Sequence, residues 1–447
     1  MGKKLEARFL TGPTMGHVWR MALSGTAGIT FVFLVDVVNL FWISQIGDTS
    51  LVAAMGFAFA IQFFSVSFGI GFMIATMALV SRSIGEGRIG LAKEQAVSCM
   101  LMSVFLQCFI AIVFILFIDE LVALNGASGQ TASLTSRYLL ISLFSLPVMA
   151  IGMTGSAILR ANGDAVRAMT VTLASGAVCM FTDPILIYWL DLRLDGAAIS
   201  VWIFRFVMAL VALYYLTRSY NLLARPSINS IRQTVKPFLN LAIPAIFTQL
   251  SIPFGNFVLT AVMAGFGDSA VAAWAVINRL TAFSFGGIFA LSTSIGGIFG
   301  QNYGALKYSR IKTTFRDSLM FCFLYTLIIW AILAISSIKI SELFMLDNEG
   351  TSLVRIFTQI GIAGFFFTGM SLVTTAAFNN LGKPFWGTAI NWFREGVITL
   401  PVAIFFSSVF FAPGVIFAQA FVACITGSFS VVLGFWFISR LKVDRLS

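Results

Sequence analysis

Residues 25–46 read GTAGITFVFLVDVVNLFWISQI, and this stretch decides the reading of the whole chain. It is apolar and long enough to cross a hydrocarbon core of ~30 Å. It carries one carboxylate, Asp36. A charged Asp near the middle of a membrane helix costs about 2.5–3.5 kcal/mol on insertion scales, so such a group marks a cavity or an ion path. Gly25, Gly28, Val32, Asp36 and Asn39 recur at spacings of three or four and therefore share one helix face. Phe31, Phe33 and Leu34 lie opposite. The spacing predicts a membrane helix whose small, polar side faces inward.

The rest of the chain has the same character. Of its residues 59% are hydrophobic and 10% charged, and mean hydropathy is +0.95. A soluble domain carries about 25% charged residues, so the chain reads as an all-α polytopic membrane protein in the lipid bilayer. Twelve apolar runs have span length, at approximately 18–45, 51–80, 95–118, 134–159, 168–190, 196–217, 238–264, 270–299, 314–338, 353–379, 385–409 and 412–439.

A net charge of +10 raises the question of nucleic acid, but the placement of the charges answers it. The segment before span one, the loops after even-numbered spans and the C-terminal tail hold 21 of the 28 basic residues, Lys3, Lys4, Arg8, Lys442 and Arg445 among them. The opposite side holds Arg137, Arg193, Lys339 and Arg355. This is the positive-inside pattern, and it predicts that both termini are cytoplasmic in the cell inner (plasma) membrane, with no nucleic-acid partner. Arg205, Arg279 and Arg394 lie within spans. No cleaved signal peptide is read at the N-terminus.

Other chemistries lack their residues. The five cysteines sit in apolar runs without metal-ligand spacing. The one histidine, His17, precedes the first span. No GxxxxGK[ST] phosphate loop is present, and no Asp-rich Mg²⁺ motif. An enzyme, a metal centre and a bound cofactor are therefore not expected.

An internal repeat organises the spans. Gly47-Asp48 with Val52-Ala53-Ala54 recurs as Gly267-Asp268 with Val271-Ala272-Ala273. SRSIGEG, from Ser81, has its counterpart in GQNYGAL, from Gly300, and ILRANGD, from Ile158, in FNNLGK, from Phe378. The offset is 220 in the first span and 219 afterwards, until about Gly382. Six spans separate the copies, so the halves share one orientation and are expected to be related by a pseudo-two-fold axis along the membrane normal. Lobes at 1–222 and 223–447 follow, joined by a polar, basic linker containing Pro226.

Two six-helix lobes with these repeated loops resemble the multidrug and toxic compound extrusion (MATE) family, within the MOP-type fold. The resemblance covers essentially the whole chain. It rests on the Gly47-Asp48 turn, on Gln301-Asn302-Tyr303-Gly304 after span eight, on Asp183-Pro184-Ile185-Leu186-Ile187 in span five and on Asp195-Gly196-Ala197-Ala198 after it. Carboxylates at Asp36 and Asp183 resemble the DinF-like branch. Met180 stands where members often carry Asn, and Ser24, Gly25, Thr26 and Gly28 where many carry a span-one proline. The resemblance implies a secondary active multidrug antiporter. It would export amphipathic organic cations in exchange for H⁺ or Na⁺ by alternating access.

Within that frame the cation-coupling candidates are Asp36, Asp183, Asn39 and Ser200, with Na⁺ at Asp36 and Asp183 as the alternative to H⁺. The substrate-binding candidates are Gln62, Ser65, Thr154, Asn256 and Met180. Asp36 maps to Asn256 under the first-span offset, which places charge-based coupling in the N-terminal lobe. In the C-terminal lobe Glu395 is expected to pair with Arg279. Pro147, Pro244, Pro253 and Pro401 are expected to kink their spans. A monomer is expected. A flippase for a lipid-linked substrate is the alternative in the same superfamily; a channel or an intramembrane enzyme is the alternative outside it.

Overall fold

The computed structural model describes residues 7–344 and 346–441. Lys3, Lys4, Lys442 and Arg445, used above for sidedness, lie outside the described residues. Among those described the chain is helical throughout, with no strand. Among the described residues nine helices are long and apolar enough to cross a membrane, or up to twelve if each of three bent pairs counts as one span. The twelve runs of the sequence thus divide into nine plain spans and three broken ones.

The repeat extends further than its sequence signature. Span two is Thr49–Gly85, and span eight starts at Asp268 and ends at Gly304. Spans three and nine start at Ile89 and Tyr308, spans five and eleven at Ala165 and Pro384, and spans six and twelve at Arg193 and Ala412. The offset of 219 therefore carries to the last span. Spans one and seven end at Ser44 and Ala264, which keeps the offset of 220.

The breaks follow the repeat only in part. Span four is Gly129–Leu143 plus Leu146–Ala161, bent by 52°; span ten is Asn348–Gly361 plus Ala363–Asn380, bent by 56°. In span four the cause is Pro147, near the start of the second piece, where a proline lacks the N–H an interior turn needs. Span ten has no proline. A π-helical turn, Phe357–Gly361, widens it, and Gly364 lies flat against Ala420, where a Cβ would come within 2.7 Å of the Ala420 Cα. Span eight breaks by 46° after Ser284, at Gly286-Gly287, whereas its repeat partner span two is continuous. Pro244 and Pro253 lie inside the continuous helix Ile228–Ala264, so neither interrupts span seven.

By contact the described residues form two units. One comprises Ala27–Ile246 with the chain up to Arg8; the other comprises Phe9–Thr26 with the chain from Phe247. These divisions differ from a cut at 222/223: the first half of span one belongs to the second unit, and span seven as far as Ile246 to the first. In the first unit, Gly71 lies on Ile246 and Phe72 stacks on Phe238, with ring centroids 5.9 Å apart. Met55, Met77, Leu139, Ile158 and Leu216 contribute to its core. Gly152 and Gly155 of span four sit against Met208 and Ala212 of span six, the small-residue contact that lets membrane helices approach closely.

The second unit has a more aromatic core. Trp274, Phe299, Phe315 and Phe378 are fully buried, and Phe285 stacks on Phe365 at 4.2 Å. Its most distant contacts in sequence hold the N-terminal segment. The Phe9 amide donates to Gln301 Oε1 at 3.0 Å. The Phe9 carbonyl accepts from Asn302 Nδ2 at 3.3 Å and from Arg310 Nη2 at 2.9 Å. The Thr14 hydroxyl donates to Asp317. The Gln-Asn pair of the repeated loop is thus a clamp for main chain.

The repeated turns keep their backbone where residue types change. Gly47 and Gly267 both have left-handed φ, 80° and 96°; Gly87 has φ 74°, and its counterpart Leu306 has φ 59°. A non-glycine residue in that region costs about 1–2 kcal/mol.

Candidate functional site

Asp183 anchors the candidate site. It lies at the end of the α-helical part of span five, Ala165–Pro184, before the π-helical turn Ile185–Trp189. Pro184 supplies no N–H to the preceding turn, which lets the helix change pitch beside the acid. Asp183 is fully buried. Its Oδ1 accepts from Asn39 Nδ2 at 3.0 Å and lies 3.7 Å from Cys179 Sγ, one turn earlier. Cys179 Sγ is 3.2 Å from the Ser200 hydroxyl, which is 3.1 Å from the Thr182 hydroxyl. Span one, span five and span six therefore meet around one carboxylate.

Two acceptors of this cluster have no partner among the described residues: Asp183 Oδ2 and Asn39 Oδ1. Buried acceptors left unpaired are costly, at about 1–3 kcal/mol each and more when charged. A carboxylate oxygen and an amide oxygen are both hard donors, suited to H⁺ or to a small cation such as Na⁺. Asp36 lies one helical turn before Asn39. It is half-buried and near enough to the Arg205 guanidinium and the Asp183 carboxylate to feel both charges.

Arg205 of span six is buried. Its Nη1 donates to the Ser142 carbonyl at 2.8 Å and to the Ser145 hydroxyl at 2.7 Å, at the break of span four. Gln62 joins the same point, donating to the Ser142 hydroxyl at 2.7 Å. Gln62, Ser65 and Gly69 of span two all face the interior of the unit; Gly69 sits against Met153 and Gln107, and Gln107 Nε2 donates to the Ser65 carbonyl at 3.4 Å.

The other candidates fall elsewhere. Thr154 is buried but donates to the Ala150 carbonyl of its own helix at 2.6 Å, a packing bond. Met180 is half-buried on span five. Asn256 belongs to the second unit, is exposed, and its carbonyl accepts from Thr260 at 2.7 Å. Glu395 does not pair with Arg279. Arg394 Nε contacts Glu395 Oε1 at 3.1 Å, and Arg279 is exposed. Residues 393–398 form a π-helical turn, and the two long side chains meet although adjacent positions on a helix diverge.

Sequence reasoning missed Cys179, Thr182 and Tyr138. Cys179 stands four residues before Asp183, a spacing that places it on the same face. Tyr138, buried in span four, shares the electrostatic surroundings of Arg205, Asp36 and Asp183, and nothing in its local sequence signals this.

This architecture is that of known transporters. The MatE family model matches residues 27–185 and 244–405, and the chain belongs to that family. It is 27% identical over 402 residues to a FAD transporter of Shewanella oneidensis, covering 88% of each chain. It is 22% identical over 445 residues to the multidrug export protein MepA of Staphylococcus aureus, covering 98% of this chain and 97% of that protein. Among solved structures it matches the Vibrio cholerae MATE transporter VcmN, in a mutant form, with TM-score 0.89 and 25% identity over 96% of this chain and 97% of that one. It also matches an outward-facing multidrug resistance MATE transporter of the MOP superfamily, with TM-score 0.90 and 22% identity over 98% of both chains. The protein is a multi-pass membrane transporter of the MatE family and not an enzyme.

Proposed function

We propose that the chain is a secondary active antiporter of the DinF-like branch. It exports amphipathic organic cations from the cytoplasm in exchange for H⁺, with Na⁺ as the alternative coupling ion, and acts as a monomer in the cell inner membrane with both termini cytoplasmic. The observation that carries this reading is the buried Asp183–Asn39 pair beside Asp36, with an acceptor oxygen of each partner free. Occupancy by a cation satisfies those oxygens and removes net negative charge, and a ligand shifts alternating access only through different affinity for the two states. Substrate and coupling ion therefore favour opposite states.

The test is ethidium export in proteoliposomes under an H⁺ gradient alone and a Na⁺ gradient alone. Asp36→Asn is expected to lower gradient-driven export about ten- to hundredfold, the size of a typical coupling energy. Export by this variant at the unaltered rate would defeat the coupling reading, and export driven by Na⁺ at fixed pH would reassign the ion. The similarity to the FAD transporter favours a second reading, export of a flavin nucleotide. FAD loaded in place of ethidium separates the two.

A further inference from the structure

Arg205 is a buried guanidinium without a carboxylate to hold it. Among the described residues it makes no ion pair, and its recorded hydrogen bonds go to neutral oxygens, Ser142 O and Ser145 Oγ. Buried arginines are ordinarily paired with an acid. This one is tethered at the C-terminal end of the helix Gly129–Leu143, whose last carbonyls carry partial negative charge. One terminal nitrogen carries two N–H groups, and Nη1 serves both acceptors. The charge is thus held in place from the break of span four, within electrostatic reach of Asp36. The groups around Asp36 are Arg205 from span six, Asp183 and Cys179 from span five and Tyr138 from span four.

The charges add in a simple way. With Asp36 and Asp183 both ionised, the two acids and Arg205 sum to one negative charge. One bound cation makes the cluster neutral, and a second would leave it positive in a low-dielectric interior, which is strongly disfavoured. Without Arg205 the two acids would need two cations to reach neutrality. We propose that Arg205 limits the Asp36–Asp183 site to a single coupling cation. This rests on the coupling reading above and adds its stoichiometry.

Arg205 is a positioning residue, so the readout must be one that packing alone does not move. Purified drug-free protein in weakly buffered detergent solution is taken from alkaline to mildly acid pH, and the protons taken up in excess of the Asp36→Asn, Asp183→Asn double variant are counted. Wild type is expected to take up about one and Arg205→Gln about two, because each site fills to the occupancy nearest neutrality. Arg205→Lys keeps the charge and is expected to stay at about one. The pH midpoint of ethidium export is expected to rise by about one unit in Arg205→Gln and to stay in Arg205→Lys. If the Gln variant does not accumulate, Ser145→Asp gives the guanidinium its own carboxylate and neutralises it in place; the expected count is again about two. A count of one with an unmoved midpoint in the neutralised variant overturns the proposal. The Asp36→Asn variant keeps the two ideas apart. If it still exports under the gradient, the coupling reading has failed. If it is inactive while the neutralised Arg205 site still takes up one proton, only the stoichiometric role has failed.

Discussion

Where spans one and five touch in the first unit, the glycine is on span five: a Cβ on Gly176 would meet Phe31 and Val35 at 2.6–2.8 Å. At the corresponding contact of the second unit the glycine is on span seven. Gly255, the counterpart of Val35, makes room for Glu395, the counterpart of Gly176; a Cβ on Gly255 would come within 1.9 Å of Glu395 Oε2. The repeat has kept the contact and exchanged the partner that fills it. It has also changed the chemistry, from an apolar plug to a charged one. Asp36 and Asp183 correspond to Asn256 and Val402, so neither unit inherits its acids from the other. The lesson is that the repeat governs helix placement, while charge inside the spans is allotted unit by unit.

This contrast can be broken by experiment. Glu395→Gln leaves Arg394 charged and unpaired in a position where both side chains are nearly buried. Loss of one partner of such a pair costs about 3 kcal/mol. Asp183→Asn removes an acid that no ion pair holds among the described residues, and is expected to cost less than about 1 kcal/mol. Thermal unfolding of the detergent-solubilised variants checks both. Equal losses would mean that the two acids play equivalent structural parts. Gly255→Ala is the next largest effect, with a destabilisation of about 1–3 kcal/mol from overpacking. Shortening the opposing side chain with Glu395→Asp should recover part of it; no recovery would show that the close approach is not to Glu395. The smallest effect concerns the turns after spans two and eight. Leu306→Gly relieves the left-handed backbone and should stabilise by about 1 kcal/mol, while Gly87→Leu should cost a similar amount. A fall in melting temperature for Leu306→Gly would remove the strain argument.

Much of this architecture was legible in the sequence because membrane spans announce themselves by length and apolarity. The repeat was legible because Gly47 and Gly163 recur as Gly267 and Gly382 where the left-handed backbone recurs. Asp36 and Asp183 stood out because an acid at lipid depth is costly. What could not be read were features set by side-chain reach and by pitch. The helical period makes Arg394 and Glu395 diverge, and only their long, flexible side chains bring the charged ends together. The period likewise gave no warning of the break in span ten, which has no proline. Prolines in span seven leave its helix continuous, and nothing in the sequence signals that they would act differently from Pro147. Cys179 and Thr182 gained their places only through the chain of contacts from Asp183 to Ser200, which crosses from one span to another.

The clamp on the N-terminal segment sets an order of assembly. The Phe9 amide waits for Gln301, a partner 292 residues later in the chain, and Thr14 for Asp317, 303 residues later. At a synthesis rate of about 5–20 residues per second, roughly 15–60 s separate the emergence of the two sides of that clamp. Throughout that interval Phe9 and Thr14 lack these partners, although Arg8 can already reach Tyr220. Phe9 is therefore fastened late. A ribosome halted before span eight would carry a chain still accessible to a protease around Phe9, and release of the stall should protect it.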